Sequence, residues 1–354
     1  MTQDRWSEVM HLLVEAIPAG RATVVVDGTD ERTGQVADRL TAALRSAGRP
    51  CTRPPSSPPG TPGAAGTSAV TGASGASGGT GAAGGTGDAV LVADGPAARD
   101  RAPAGGWDVV IWLRTSRRQH AADGARGDTA DVVVDLHDPE WPVIRHLAPR
   151  LLPHERWHLA ESRAFFGVRA ETWDAKFGDD LPAYAAAVEA AALPSGGVVV
   201  DVGCGTGRAL PALRAAVGPA GTVIGLDHTP QMLAKAREKG NGGLVLADAS
   251  RLPFTDGAVD AVFAAGLVMH LPDPADGLRE LARVTRPGGR LVLFHPTGRA
   301  TLAARHGRVL RPDEPLAEGP LTATTAGSGW RLSVYDDGPD RFLALADRTD
   351  RPVH

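Results

Sequence analysis

The sequence VVVDVGCGTG (residues 198–207) joins an apolar strand to a loop with three glycines. Gly203 and Gly205 let the backbone turn sharply and approach a ligand closely, because no Cβ atom intervenes. A dinucleotide fingerprint GxGxxG would need glycine or alanine at position 208, where this chain has Arg208. The loop therefore predicts a ligand site at the end of a strand and argues against a nicotinamide cofactor.

A regular alternation of strand and helix patterns follows this loop. Five strand patterns alternate with helical or loop segments between residues 198 and 295, and two more surround an acidic Gly-Pro turn near the C-terminus. The preceding segment, residues 154–192, is helical in pattern. Together these patterns predict an α/β domain with a Rossmann-like, seven-stranded sheet.

Acidic residues end three successive strands of this predicted sheet: Asp201, Asp227 and Asp248. Because the carboxyl ends of parallel strands meet at one edge, we expect the three carboxylates to face the same crevice. Asp201 can hold a cationic group, Asp227 can accept hydrogen bonds from both ribose hydroxyls, and Asp248 can accept one from an exocyclic amine such as adenine N6. The pattern favours a ligand that contains adenosine.

Four sequence blocks resemble class I S-adenosylmethionine-dependent methyltransferases of the ubiquinone/menaquinone-methyltransferase-like branch, in that family's order and over residues 171–354. The resemblance implies methyl transfer from S-adenosylmethionine to a small-molecule acceptor. The blocks are VVVDVGCGTG (198–207), VIGLDHTPQMLAKAR (223–237), LVLADASRLPFTDGAVDAVFAAGLVMHLPDP (244–274) and LRELARVTRPGGRLVLF (278–294).

The same resemblance implies which residues bind the cofactor. Asp201 and the glycine loop would hold its methionine end, Asp227 its ribose and Asp248 the adenine edge. Trp173, in ETWDAKFG (171–178), would cover it. The other implied contacts come from Gly203, Cys204, Gly205, Thr206 and Gly207 of the loop, His228 and Met232 beside the adenine, Ala249 beside Asp248, and Ala265 near the sulfonium.

Two histidines are candidates for a catalytic general base. Methyl transfer from a sulfonium is a direct displacement, so a base helps only if the acceptor must lose a proton. His270 and His295 both follow strands at the carboxyl edge, and histidine titrates near neutrality. The alternative for each is a structural histidine bonded to a loop carbonyl.

An earlier strand, loop and helix, VVVDGTDERTG (24–34), has the outline of a phosphate-binding loop of the form GxxxxGK[ST]. Gly28 could open such a loop, but Gly34 falls one position late and Gln35 and Val36 replace the lysine and the hydroxyl. The first lysine of the chain is Lys176. The loop therefore lacks the groups that bind triphosphate and magnesium.

Residues 6–147 nevertheless resemble the uridine kinase-like P-loop family, whose members open with a strand, a DG pair and a helix ending in AGRP, as in LTAALRSAGRP (40–50). The resemblance implies a degenerate P-loop-like domain over residues 1–150, with a small parallel sheet, before a methyltransferase domain over residues 160–354. A working kinase and an ordinary α/β domain are the alternatives. Residues 50–87 are rich in Pro, Ser, Gly, Ala and Thr, and we expect them to be a disordered insert.

Composition limits the function classes. The 354 residues suggest two domains, and a net charge of −4 without a basic stripe argues against nucleic-acid binding. The chain has only two cysteines, Cys51 at the edge of the expected disordered insert and Cys204 inside the glycine loop. This arrangement argues against a disulfide framework or a zinc site, and we expect no metal. The first 20 residues lack the pattern of a signal peptide, and no apolar run could cross a membrane. We therefore expect a cytoplasmic protein without membrane contact.

The sequence thus predicts an S-adenosylmethionine-dependent methyltransferase. Two alternatives remain: a non-catalytic S-adenosylmethionine-binding or scaffold protein, and a nicotinamide-dependent oxidoreductase, which Arg208 disfavours. The first domain would then serve as a folding partner, as a dimer surface or as a pocket without transfer chemistry, and a homodimer is one expected assembly.

Overall fold

The computed structural model describes residues 4–28, 32–54, 88–115, 126–240, 242–305 and 308–350. The chain forms two compact units, of which unit 1 ends at Pro153 and unit 2 begins at His154. Most of the insert expected at residues 50–87, and part of the loop after Gly28, lie outside the described residues. None of the described helices is both long and apolar enough to span a bilayer.

Unit 1 contains a six-stranded sheet in the order β2-β3-β1-β4-β5-β6. Its helices and strands are α1 Arg5–Ala16, β1 Ala22–Asp27, α2 Arg32–Ser46, β2 Cys51–Thr52, β3 Val90–Asp94, α3 Pro96–Asp100, β4 Val109–Arg114, β5 Val132–Asp135 and β6 Val143–Leu147.

The sequence predicted a parallel sheet for unit 1, and this prediction is wrong at one edge of the sheet. Strand β1 pairs in parallel with β3 and β4, but β6 pairs antiparallel to β5. The prediction missed β2 and β6 because the first has only two residues and the second, VIRHL, carries polar residues that weaken its apolar pattern. Strand β1 is central and almost wholly buried, which explains its continuous run of valines.

The carboxyl end of β1 carries a buried ion pair. Asp27 is fully buried, and its Oδ2 atom lies 2.7 Å from Nη1 of Arg99 and 3.7 Å from Nη1 of Arg126. The amide of Gly28 donates to its other carboxylate oxygen at 2.9 Å. The charge at the end of this strand is therefore already neutralised within unit 1.

Unit 2 contains a seven-stranded sheet in the order β12-β13-β11-β10-β7-β8-β9. Its elements are α4 His158–Gly167, α5 Trp173–Phe177, α6 Leu181–Ala191, β7 Val198–Val202, α7 Leu210–Val217, β8 Thr222–Asp227, α8 Pro230–Glu238, β9 Leu244–Leu246, β10 Val259–Ala265, α9 Pro274–Val284, β11 Thr285–His295, α10 Arg299–Arg305, α11 Glu318–Gly327, β12 Trp330–Asp337 and β13 Phe342–Arg348.

This topology confirms the predicted Rossmann-like fold of unit 2. The chain runs outward from β7 to β8 and β9, then returns to β10 on the other side of β7, and these neighbours are parallel. The final hairpin inserts β13 antiparallel beside β11. The order of the strands reverses at β7, and such a switch point opens a crevice at the carboxyl edge of the sheet.

Alternate residues of β7 enter two different cores. Val200 and Val202 belong to a cluster that includes residues of α9 and α11, whereas Val199 packs with residues of α6 and α7. Because successive side chains of a strand point to opposite faces, Asp201 projects to the same face as Val199. The carboxylate that ends β7 is thereby directed into the interior.

A buried tryptophan fastens the C-terminal hairpin to the helical layer. Trp330, at the start of β12, is 1% exposed, and its Nε1 atom donates to the carbonyl oxygen of Leu278 in α9 at 2.8 Å. It is among the largest fully buried side chains. The hydrogen bond satisfies its only polar atom, so the indole can fill the core without an unpaired donor.

We expect Trp330→Ala to lower the free energy of unfolding by about 3–5 kcal/mol, because the change leaves a large cavity and removes the hydrogen bond to the carbonyl oxygen of Leu278. Denaturant titration of the full chain, monitored by a spectroscopic signal from unit 2, measures this loss of unfolding free energy. Leu246→Ala, at a half-exposed position of β9, is the control and should change stability by less than about 0.5 kcal/mol. Equal effects from the two substitutions would contradict the proposed packing role.

Candidate functional site

The glycine loop, residues 203–207, folds back against β8. Gly203, Gly205 and Gly207 have φ angles of 77°, 53° and 80°, which glycine adopts readily. The amides of Gly203 and Cys204 both donate to the carbonyl oxygen of Leu226, at 2.7 and 2.9 Å. A Cβ atom added at Gly205 would meet nothing within 4 Å, so the space beside this residue is open. The loop is thus fixed on one side and accessible on the other.

Asp227, at the end of β8, links the glycine loop to α8. Its Oδ2 atom accepts a hydrogen bond from the amide of Gly205 at 2.9 Å, and its Oδ1 atom accepts one from the amide of Thr229 at 2.7 Å. Each carboxylate oxygen can accept two hydrogen bonds, so both retain capacity for a ligand hydroxyl. The residue therefore holds the loop and can still receive a ribose.

Asp201 is the residue whose chemistry most needs a ligand. It is 1% exposed, and neither of its carboxylate oxygens has a hydrogen-bond partner among the described residues. Burial, assisted by the negative charge of Asp227, raises the pKa of Asp201 from 3.8 to about 8. A buried carboxylate is stable in its charged form only with a cationic or hydrogen-bonding partner. The ammonium and sulfonium of S-adenosylmethionine fit this requirement.

We expect Asp201→Asn to remove a pH dependence of stability. Between about pH 4 and pH 8 Asp201 is protonated in the folded chain but ionised in the unfolded chain, so its contribution to stability falls as the pH rises. The slope is about 1.4 kcal/mol per pH unit for one proton. Denaturant titrations at several pH values should show that slope in the wild type relative to the variant.

Asp347→Asn is the control for this measurement, because Asp347 is paired with Arg290 at 2.8 Å far along the sheet from the glycine loop. It should keep the slope that Asp201→Asn removes. Parallel pH profiles of the wild type and Asp201→Asn would mean that Asp201 is ionised in the folded chain and has a partner.

The residues predicted around the adenine lie close enough to interact electrostatically. His228 Nε2 lies 2.9 Å from the hydroxyl of Ser162, and burial lowers the pKa of His228 although Asp227 and Asp248 act to raise it. Asp248 lies two residues beyond β9, where its Oδ1 atom accepts from the amide of Ser250 at 3.0 Å. The structure therefore brings Asp227, His228 and Asp248 to one edge of the sheet.

Some predicted cofactor residues offer a ligand little surface. Met232 is 2% exposed on the inner side of α8, and Cys204 is 8% exposed with its sulfur packed over Gly225 of β8. The side chain of Thr206 is likewise buried. These residues shape the site through packing and backbone, whereas Ala249 and Ala265 are half-buried.

An aromatic cluster that the sequence had not indicated joins three of the predicted site residues. The ring of Phe166, in α4, packs edge-on against Trp173, His228 and His270, with centroid separations of 5.6, 6.1 and 5.1 Å. The signal available in the sequence was the pair Phe165 and Phe166 shortly before the helix that contains Trp173.

The other candidate base, His295, lies at the end of β11. Its Nδ1 atom lies 2.8 Å from the carbonyl oxygen of Thr297 and 3.1 Å from the amide nitrogen of Thr297, so the backbone of Thr297 engages Nδ1 in either tautomer. Burial lowers the pKa of His295, so the ring is neutral at pH 7. His270 packs against Phe166, whereas His295 contacts the backbone of Thr297, so the two candidate histidines have different surroundings.

The sequence analysis also did not indicate the charged residues that contact Thr206 and Arg208, at the end of the glycine loop. Arg208 donates to Asp174 and Asp180, and Thr206 donates to Asp174 at 2.6 Å. From the sequence, Arg208 indicated only that the loop does not match a dinucleotide-binding fingerprint. Its acidic partners lie about 30 residues earlier, a separation over which no sequence pattern indicates a contact.

Comparison with known proteins agrees with this geometry. A family model described as a methyltransferase domain matches residues 200–293, which include the glycine loop and Asp227 and Asp248. The C-terminal region therefore contains a class I S-adenosylmethionine-dependent methyltransferase domain, and that class implies S-adenosylmethionine as the cofactor.

Individual relatives share this region. The chain is 41% identical over 101 residues to an uncharacterized 37.1 kDa protein in a transposon of Streptomyces fradiae, covering 27% of this chain and 29% of that protein. It is 41% identical over 104 residues to the demethylmenaquinone methyltransferase of Shouchella clausii, covering 28% and 44%. It is 39% identical over 115 residues to methyltransferase GfsG of Streptomyces halstedii, covering 30% and 41%.

The matched region spans less than half the length of these curated relatives. Among solved structures, an S-adenosylmethionine-dependent methyltransferase from Aquifex aeolicus is 26% identical, with a TM-score of 0.40 over 47% of this chain and 89% of that one. A superposition at that score adds no argument to the sequence matches.

Proposed function

We propose that the protein transfers a methyl group from S-adenosylmethionine to a small-molecule acceptor through unit 2. The observation that carries this proposal is Asp201, a buried carboxyl group with no hydrogen-bond partner among the described residues, beside a glycine loop that faces open space. Asp201 lies at a switch point, its raised pKa keeps it protonated at neutral pH, and its ionised form would be compensated by a cationic ligand; such a shifted buried carboxyl group is typical of binding sites.

The residues at the sheet edge divide the cofactor among them. Asp201 and the glycine loop would hold the methionine end, Asp227 the ribose, and Asp248 with His228 the adenine. When bound, S-adenosylmethionine supplies an electrophilic methyl group on a positively charged sulfur. Trp173 and Phe166 would exclude water from one side, since their rings pack together above His228 and His270.

The acceptor that suits this site is a small molecule with a ring. Phe166, Trp173 and His270 present aromatic faces and edges, which pack well against rings. The name of the relative from Shouchella clausii, demethylmenaquinone methyltransferase, agrees with such an acceptor. If the acceptor must lose a proton, His270 and His295 are the candidate bases. Of these, His295 has a lowered pKa and its Nδ1 atom is engaged by the backbone of Thr297, so Nε2 is the ring nitrogen left to face an acceptor.

Calorimetric titration of the full chain with S-adenosylmethionine, S-adenosylhomocysteine and NADH tests this proposal. We expect the two adenosyl ligands to bind and NADH not to bind. Asp227→Ala should weaken adenosyl binding by about 1–3 kcal/mol, through loss of charge-assisted hydrogen bonds to ribose.

The matched control is Asp276→Ala, at an exposed position of α9 in the same unit, which should leave affinity unchanged. Binding of NADH alone would support the oxidoreductase alternative instead. Cofactor binding without methyl transfer to any ring-containing acceptor would favour the non-catalytic alternative.

We further propose that unit 1 is a degenerate P-loop-like domain without kinase chemistry. Its central strand β1 is followed by Gly28, by residues 29–31, which lie outside the described residues, and by α2. This order of strand, loop and helix is the order found around a phosphate-binding loop. Gln35 and Val36 replace the lysine and hydroxyl that triphosphate and magnesium require. The nearby Asp27 is already paired with Arg99.

The full chain should therefore neither hydrolyse ATP nor phosphorylate a nucleoside in the presence of magnesium. A coupled assay for ADP release, run with the same preparation that binds S-adenosylhomocysteine, measures this. Magnesium-dependent formation of a nucleoside monophosphate would show that unit 1 is a working kinase.

A further inference from the structure

The segment before the sheet of unit 2 is attached to Thr206 and Arg208, at the end of the glycine loop, by hydrogen bonds and ion pairs. We call residues 171–180, which contain α5, the cover segment. It contributes Asp174 and Asp180, and the loop region contributes Thr206 and Arg208. These contacts are made by Thr206 and Arg208, whereas the hydrogen bonds to β8 come from the amides of Gly203, Cys204 and Gly205.

Asp174 collects three donors from different elements. Its Oδ1 atom accepts from the hydroxyl of Thr206 at 2.6 Å and from Nη1 of Arg208 at 3.0 Å. Its Oδ2 atom pairs with Nζ of Lys239, which also donates to the carbonyl oxygen of Thr206 at 2.9 Å. One carboxylate thus ties the glycine loop to the end of α8.

Arg208 extends the attachment to the far end of the cover segment. Its Nε atom donates to Asp180 at 2.8 Å, and its Nη2 atom donates to the carbonyl oxygen of Gly178 at 2.8 Å. The guanidinium therefore bridges both ends of α5, a geometry that its planar array of donors suits. A lysine at position 208 could not make all of these contacts at once, because it carries a single ammonium group.

The burial of these groups makes the network more than a surface ion pair. Thr206 and Arg208 are buried, whereas Asp174 and Lys239 are about 40% exposed. Burial acts to raise the pKa of Asp174, but the hydrogen bonds from Lys239, Thr206 and Arg208 outweigh it and lower that pKa. Charge-assisted hydrogen bonds of this kind are stronger than exposed pairs, and they weaken as salt screens the exposed partners.

We propose that Asp174 is a positioning residue for the cofactor: by holding Thr206 and Arg208, it fixes the glycine loop in the shape that receives S-adenosylmethionine and keeps the cover segment over it. The inference rests on the proposed function. The affinity of the site then depends partly on Asp174, which contacts Thr206 and Arg208 and not the ligand. The loop amides are preorganised, so binding does not have to order them.

The test compares binding of S-adenosylhomocysteine to the full-length wild type and to Asp174→Asn, Asp174→Glu and Asp347→Asn, by calorimetry at about 0.01 M and about 1 M NaCl. At low salt we expect Asp174→Asn to bind about tenfold more weakly, because a neutral amide cannot hold both Arg208 and Lys239. Asp174→Glu should recover most of that loss.

Salt distinguishes positioning from a general loss of structure. The affinity of the wild type should fall at high salt, and that of Asp174→Asn should change little, because its network is already broken. Asp347→Asn removes an ion pair with Arg290 elsewhere in the same sheet and should behave as the wild type does. Hydrogen exchange at the amides of Gly205 and Thr206 should be faster in Asp174→Asn alone.

The outcomes separate this inference from the proposed function. If the wild type fails to bind S-adenosylhomocysteine, the proposed function is overturned and the inference with it. If the wild type binds and Asp174→Asn binds equally well, with the same salt dependence, only the positioning role is overturned. If Asp174→Asn and Asp347→Asn weaken binding equally, the effect is one of general stability and the positioning role is also overturned.

Discussion

The return of the glycine loop onto β8 is the constraint on which the rest of unit 2 depends. Amides of Gly203 and Cys204 share the carbonyl oxygen of Leu226, and the amide of Gly205 donates to Asp227. These hydrogen bonds require left-handed backbone angles that glycine alone adopts without strain. With the loop held there, the end of β7 is closed off from water, and Asp201 becomes a buried carboxylate.

The two VVVD strands of the chain show how one local sequence acquires two meanings. Asp27 and Asp201 both end a buried central strand, and both are almost completely inaccessible to solvent. Asp27 has Arg99 at 2.7 Å, so its charge is compensated within the fold. Asp201 has no hydrogen-bond partner among the described residues and has a raised pKa. The first aspartate is paired within the fold, whereas the ionised form of the second would be compensated by the cation of the proposed ligand, a difference typical of functional sites.

The glycine loop is held by two kinds of contact. Backbone hydrogen bonds join Gly203 and Cys204 to β8, and charged side chains of the cover segment contact Thr206 and Arg208. The aromatic cluster around Phe166 then joins α4 and α5 to the residues after β8 and β10. The polar and aromatic contacts thus restrict the same few residues from several directions, which is how a preorganised site is built.

The sequence by itself determined the seven strands of unit 2, their order along the chain, and the placement of Asp201, Asp227 and Asp248 at or just after strand ends, because these features follow from local alternation of apolar and polar residues. Only the tertiary structure decided that Asp201 has no hydrogen-bond partner within the described part of the chain, that Phe166 joins Trp173 to His270, that Arg208 contacts Asp174, and that β6 runs antiparallel to β5. Each of these depends on contacts between residues far apart in the chain, and such contacts leave no periodic signal in the sequence.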